Sequence, residues 1–187
     1  MKLLSTLSFI FIFMSFTTLS KESWFLDENL STIKFELPIL LANNVKGEFK
    51  VIEGLVEIDL KEKKNNKAIF SVDVESIDIN YSKYKKLLLS NIFFNVQEFP
   101  KALVDTKKFS YQNQNMLNLN VELSIKGITT SVPFSLEIIK LAEELVQIRG
   151  NVQFSRTAFQ LGLGKWQNTS ILKDNVSIDV NLFLFKE

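Results

Sequence analysis

From Leu117 to Ile125 every second residue is aliphatic: Leu117, Leu119, Val121, Leu123 and Ile125 alternate with Asn118, Asn120, Glu122 and Ser124. Successive side chains of an extended chain point to opposite faces, so this pattern suits a strand with one face in an apolar interior and the other in water. On a helix the same residues would be smeared around the whole circumference. The pattern recurs. Ile33, Phe35 and Leu37 share one parity, as do Val56, Ile58 and Leu60, then Phe70, Val72 and Val74, then Val146, Ile148, Val152 and Phe154, and finally every second residue from Val176 to Leu184. With Val45–Phe49, Ala102–Tyr111 and Val132–Ile138, about eight to ten strands at hairpin spacing are expected. Gly47 marks a bulge or sharp bend, and Gly54 separates two strands. Lys61–Lys67 and Gln112–Asn115 read as solvated turns, and Leu141–Leu145 reads equally as helix or loop.

An open meander of this size leaves two unpaired edges. Closing it removes both, which favours an all-β, antiparallel barrel. No internal repeat or low-complexity linker divides it, so residues 21–187 are expected to form a single domain. An outer-membrane barrel would also alternate, but would carry aromatic girdles. The chain has only three Tyr and two Trp, and charges run along the whole polar face, so a water-facing exterior is expected.

Residues 1–20 read differently. Lys2, an apolar run from Leu3 to Phe16 and a small or polar tail to Ser20 have the form of a secretory signal peptide cleaved near Ser20, and the run is too short for a membrane span. Lys2 is the only charge in that segment, which leaves 21 basic and 21 acidic residues out of the chain's 22 and 21. That balance predicts no electrostatic footprint for nucleic acid or an anionic membrane. Cys and His are both absent, so disulfides, the commonest zinc chemistry and Ser-His or Cys-His nucleophiles are excluded.

The alternation stops between Ser76 and Pro100. Apolar residues at 84, 87, 88 and 92 have helical spacing, so a short amphipathic helix is expected across one barrel end. Ser76-Ile-Asp, then Leu88-x-Ser-x-x-Phe93-Phe94-x-Val-x-x-Phe99-Pro100, resembles the YceI-like family, periplasmic lipocalin-like barrels that bind polyisoprenoids. Trp24-x-x-Asp27 followed by Ser31-x-Ile-x-Phe35, the Gly47 segment, Lys126-Gly127 and Arg156-x-x-Phe159 extend the resemblance over nearly the whole chain after residue 20. The family usually carries a His and an acidic residue where this chain has Leu87 and Ile92, and a Gly where it has Gln160. Any role tied to that His does not transfer.

The resemblance implies a lipocalin-like barrel of about eight strands with a helix over one end. It would enclose one long-chain isoprenoid lipid or quinone, lined by Phe35, Phe49, Phe70, Leu88, Phe93, Phe94, Phe99, Phe134, Phe154, Phe159 and Trp166. No cofactor is implied beyond such a ligand, and no catalytic activity. The rivals are a lipid-modifying enzyme and a structural, stress-protective barrel with a filled core. A periplasmic location, a homodimer and transient membrane contact are all compatible with the expected barrel.

Extending strand parity carries two charges inward at strand ends. Arg156 follows Phe154, and Asp78 follows Ser76. A buried Arg needs a partner. Arg156 either pairs with a carboxylate such as Asp78 or Asp27 to close the barrel, or meets a ligand headgroup. Lys83, Lys85 and Lys86 could attract a diphosphate, or be the solvated face of the helix. Asp73 and Glu75 fall on one outward face, where solvent gives paired carboxylates no special chemistry. Gly162 and Gly164 lack the strand-to-helix context of a phosphate loop and read as a tight turn.

Overall fold

The computed structural model describes residues 21–41 and 43–186. The expected signal peptide lies outside them. Strands β1 (Lys21–Leu26) and β2 (Thr32–Leu37) lie end to end along one edge of the last strand, β11 (Asn175–Lys186). Trp24–Leu26 pairs with Leu184–Lys186 of β11, and Thr32–Glu36 pairs with Ser177–Asn181. The break between them is chemical. The Asp27 carboxylate accepts the N–H groups of Asn29 and Leu30, turning the chain out, and Ser31 Oγ takes the Phe183 N–H at 2.9 Å.

The next pairs of strands break in the same way. β3 (Val45–Phe49) continues β2's sheet and β4 (Ile52–Asp59) continues β1's; β5 (Asn66–Asp73) pairs with β4, and β6 (Ile77–Ile79) with β3. Between β5 and β6 runs a 3₁₀ turn, Val74–Ser76, capped by Asp73, whose carboxylate accepts the Glu75 N–H at 2.8 Å. Ser76 Oγ then accepts both N–H groups at the β3–β4 break, from Lys50 and Val51. One hydroxyl thus aligns two breaks.

The remaining strands are long: β7 (Lys101–Phe109), β8 (Met116–Ile125), β9 (Ile128–Lys140) and β10 (Leu145–Ser155). The ring β1-β4-β5-β7-β8-β9-β10-β11 closes through the β11–β1 pairing, eight antiparallel strands, at the lower end of the eight to ten the alternation predicts. β2, β3 and β6 extend this ring at one end as a flap hanging from β11. The segment from Asn80 to Pro100, with the short helix α1 (Lys85–Leu89), connects this flap to β7. Leu87, Leu88 and Ile92 pack onto the core there, whereas Tyr84, the first residue of the predicted stripe, is exposed.

The barrel therefore has two unlike ends. At the rim end the connections are short, 60–65, 110–115 and 141–144, the last a turn rather than a helix. At the plug end, segments 80–100 and 156–174 fold over the opening and bring Phe93, Phe159, Leu161 and Leu172 into the main core. The β8–β9 hairpin also turns there, with positive φ at both Lys126 and Gly127, the two-residue geometry that suits strand twist. Gly54 lies inside β4 rather than between strands, and Gly47 sits in an unbroken β3 register without a bulge. Among the described residues no helix is long and apolar enough to cross a membrane.

Candidate functional site

The barrel interior is not filled. A cavity of about 1120 Å³ runs between the two ends, larger than the roughly 300–1,000 Å³ of ordinary small-ligand sites. Its wall is made by the inward parity of the strands: Val56 and Ile58, Leu117 to Leu123, Val176 to Leu184. Three inward positions are glycines, and each lies under an aromatic ring from a neighbouring strand. A Cβ on Gly54 would overlap the Phe70 ring and one on Gly150 would overlap Phe134, whereas one on Gly47 would clash with the Asp78 main-chain carbonyl before it met Cε1 of Phe35 at 2.7 Å. The missing side chains let these rings lie back against the wall.

At the plug end Arg156 is 1% exposed. Its partners are main-chain carbonyls: Nε donates to Lys173 at 2.9 Å, Nη1 to Leu161 at 2.7 Å and Nη2 to Leu172 at 2.8 Å. A guanidinium holds its donors in a rigid planar fork, so it can tie two stretches of loop together, at Leu161 and at Leu172–Lys173. Gly162 gives it room, since a Cβ there would sit 2.7 Å from Nη1. Burial lowers the Arg156 pKa, and neighbouring Asp174 works in the opposite direction. Phe154 and Phe159 meet edge-on at 5.2 Å, and Phe93 leans on Trp166 at 6.1 Å, which closes the plug with aromatic contacts.

Burial works against ionising Asp174, but the Ser155 and Thr157 hydroxyls, the Thr157 N–H and Arg156 outweigh it and hold the carboxyl below its ordinary 3.8. A carboxyl depressed on folding contributes stability that is complete above its unfolded value and is lost as pH falls through the folded one. The stability advantage of the parent over Asp174→Asn should therefore be constant near neutrality and shrink below pH 3.8. Urea midpoints across that range measure it, and a gap unchanged into strong acid would contradict it.

Of the residues expected around a ligand, Phe35, Phe49, Phe70, Leu88, Phe93, Phe94, Phe134, Phe154 and Trp166 stand on the cavity wall, and Arg156 reaches it. Phe159 is buried behind Phe154 in the core. Phe99 lies over Gly127, away from the wall. The Arg156–Asp78 pair does not form. The Val74–Ser76 turn resets strand parity, so Ile77 and Ile79 are buried and Asp78 points to solvent beside Glu48. Asp27, the other carboxylate considered, is spent on its own turn. Asp73 and Glu75 do not share a strand face, because Asp73 caps the 3₁₀ turn that contains Glu75.

Trp24, Phe109 and a polar collar at the rim end also line the cavity and were missed. In the collar Lys186 Nζ bonds Glu22 at 2.6 Å, with Lys140, Glu143 and Tyr111 around them. Parity carries the signal for several of these, since Lys186 follows Leu184, Lys140 follows Ile138, and Glu22 precedes Trp24.

The model of the YceI-like domain matches residues 24–184. A UPF0312 protein of Staphylococcus aureus (strain N315) is 30% identical over 107 residues, 57% of this chain and 60% of that protein, so the match spans less than two thirds of the relative. Three solved structures share the fold. Burkholderia cenocepacia BcnA superposes with a TM-score of 0.76 at 23% identity, covering 84% of this chain and 98% of that one. A polyisoprenoid binding domain from Saccharophagus degradans, implicated in plant cell wall breakdown, gives 0.69 at 13% identity, covering 88% and 98%. The Campylobacter jejuni YCEI protein gives 0.68 at 19% identity, covering 80% and 89%.

Proposed function

Because this chain belongs to the YceI-like family, we propose that it is an exported barrel that holds one long-chain apolar lipid, a polyisoprenoid or isoprenoid quinone, and acts as a carrier or reservoir in the periplasm. The observation that carries this reading is the apolar cavity of about 1120 Å³. At about 30 Å³ for each water-sized group it has room for roughly 35–40 methylene-sized groups, the scale of a long isoprenoid tail. A filled structural barrel would have no such space.

The energetics suit release as well as capture. Burying about 40 carbons from water at roughly 0.8 kcal/mol each would amount to about 30 kcal/mol, beyond any known non-covalent affinity. The ligand starts in a membrane, however, which is as apolar as the lumen. Net transfer is then close to balanced, and the barrel can load and unload. We read the protein as a binder rather than an enzyme. It has neither His nor Cys, and the cavity's carboxylates, Glu22 and Glu143, sit in the collar away from its apolar length.

The test is native mass spectrometry of protein purified from its own host's envelope, with organic extraction of the same sample. One long-chain lipid per chain is expected. A clean apo mass that stays unchanged after incubation with isoprenoids and quinones would refute the reading.

A further inference from the structure

Segments 38–41 and 156–174 meet at the plug end as a small two-stranded ledge. Ile39 and Leu172 form a β-bridge, Leu40 N–H donates to Ile171 at 2.8 Å, and Lys173 N–H donates to Pro38 at 3.0 Å. Ile39 and Leu172 face the cavity. The opposite face of the ledge ought to be polar if water covered it. Instead Leu40 is 48% exposed, Ile171 57% and Leu41 98%. Leu41 also has φ +57°, a conformation that suits Asn, Asp or Gly rather than leucine. It neither packs nor fits its backbone, so its apolar side chain is not explained by folding.

The ledge borders the helical segment. Asn80 Nδ2 donates to Asn44 at 3.1 Å and Asn80 Oδ1 accepts the Lys46 N–H, which ties residues 80–84 to the loop carrying Leu41. Tyr84 is 42% exposed there, with Lys83 Nζ 5.0 Å from its ring centre, and Lys165 lies 5.4 Å from that of Trp166. Charge is segregated along the barrel in a way the near-zero total hides. Plug-end segments 80–100 and 156–174 carry Lys83, Lys85, Lys86, Lys165 and Lys173, besides buried Arg156, against Glu98 and Asp174. The rim-end connections 60–65 and 141–144 are balanced, with Lys61, Lys63 and Lys64 against Glu62, Glu143 and Glu144.

We propose that the plug end is a docking face for an anionic lipid bilayer, with Leu40, Leu41 and Ile171 inserting among the lipids and the surrounding lysines contacting their headgroups. Exposed apolar side chains on one end of a protein together with lysine, Tyr and Trp are the chemistry of a membrane-surface contact. Trp166, Tyr84 and Ile39 line the cavity and border this face, so docking sets the lumen beside the membrane. The inference adds a partner surface to the lipid-binding reading but does not need it, because the ledge would dock whether or not the lumen is loaded.

The experiment is flotation of residues 21–187, which contain the closed ring and its core, with vesicles of phosphatidylethanolamine and phosphatidylglycerol, and separately of phosphatidylcholine alone. Binding to the anionic vesicles is expected, weakening about fivefold for each charge removed in Lys83→Gln, Lys85→Gln and Lys86→Gln. Leu41→Asn suits the local backbone and should fold at least as well, yet weaken binding at least about tenfold. The exposed ridge formed by Phe25, Leu55 and Ile69 on the barrel wall is the control, and Leu55→Thr with Ile69→Thr should leave flotation unchanged. No flotation, equal binding to both vesicles, an unaffected Leu41→Asn variant, loss through the ridge variant, or a dimer dissolved by Leu41→Asn in sedimentation would each overturn the proposal. Lipid extracted from the same variants separates the two readings. A docking protein with an empty lumen removes the carrier function alone, and a loaded barrel that ignores vesicles removes the docking face alone.

Discussion

Arg156→Ala should lower the unfolding free energy by about 3–5 kcal/mol, among the largest single effects available in this chain. The substitution removes the only side chain that satisfies the carbonyls of Leu161, Leu172 and Lys173 together, and it leaves a void beneath the plug. Each carbonyl stranded away from water costs about 1–3 kcal/mol, less where the loop relaxes and solvent enters. Arg156→Lys keeps the charge, but an ammonium gathers its donors on one nitrogen and cannot span carbonyls matched to Nε, Nη1 and Nη2, so roughly 1–3 kcal/mol should still be lost. Urea unfolding followed by Trp fluorescence measures both, with Trp166 reporting on the plug itself. If Arg156→Ala cost no more than an ordinary surface change, the guanidinium would not be what holds segments 156–174 over the lumen.

Gly54→Val combined with Gly150→Val should empty the lumen of lipid while leaving a folded barrel. Valine suits strands, yet its Cβ at either position would occupy the space of the Phe70 or Phe134 ring. The strand behind cannot move without breaking its ladder, so the rings must swing into the cavity. Overpacking of this kind costs about 1–3 kcal/mol. The loss of bore should matter more than the loss of stability, because two rings projecting from opposite walls obstruct a chain-like ligand. Organic extraction of parent and variant purified side by side reads the result. Adding Phe70→Leu and Phe134→Leu should restore room and lipid together. A variant that keeps its full lipid complement would mean that the glycine–phenyl pairs do not set the bore.

The strand alternation determined the barrel and most of its cavity wall. Period-two patterning is a local property, readable from neighbours in the chain, and it turned Phe35, Phe70 and Phe154 toward the lumen. Continued to the strand ends it also contained Glu22, Lys140 and Lys186 of the collar. Parity failed where a short turn intervened. Three residues of 3₁₀ helix at Val74–Ser76 flipped the face of β6, which follows them, and sent Asp78 to solvent.

What the tertiary structure alone decided depends on which segments become neighbours across long stretches of sequence. Gly54 reads as a strand boundary until register sets it under Phe70, and Gly150 is unremarked until Phe134 covers it. Arg156 finds carbonyls rather than a carboxylate, and a carbonyl is invisible in sequence because every residue has one. A net charge near zero says nothing about where the charges lie; folding gathered the lysines of two separate segments at one end, beside three exposed aliphatic side chains. Local chemistry specified the wall, and long-range closure specified the bore, the plug and the face the barrel turns outward.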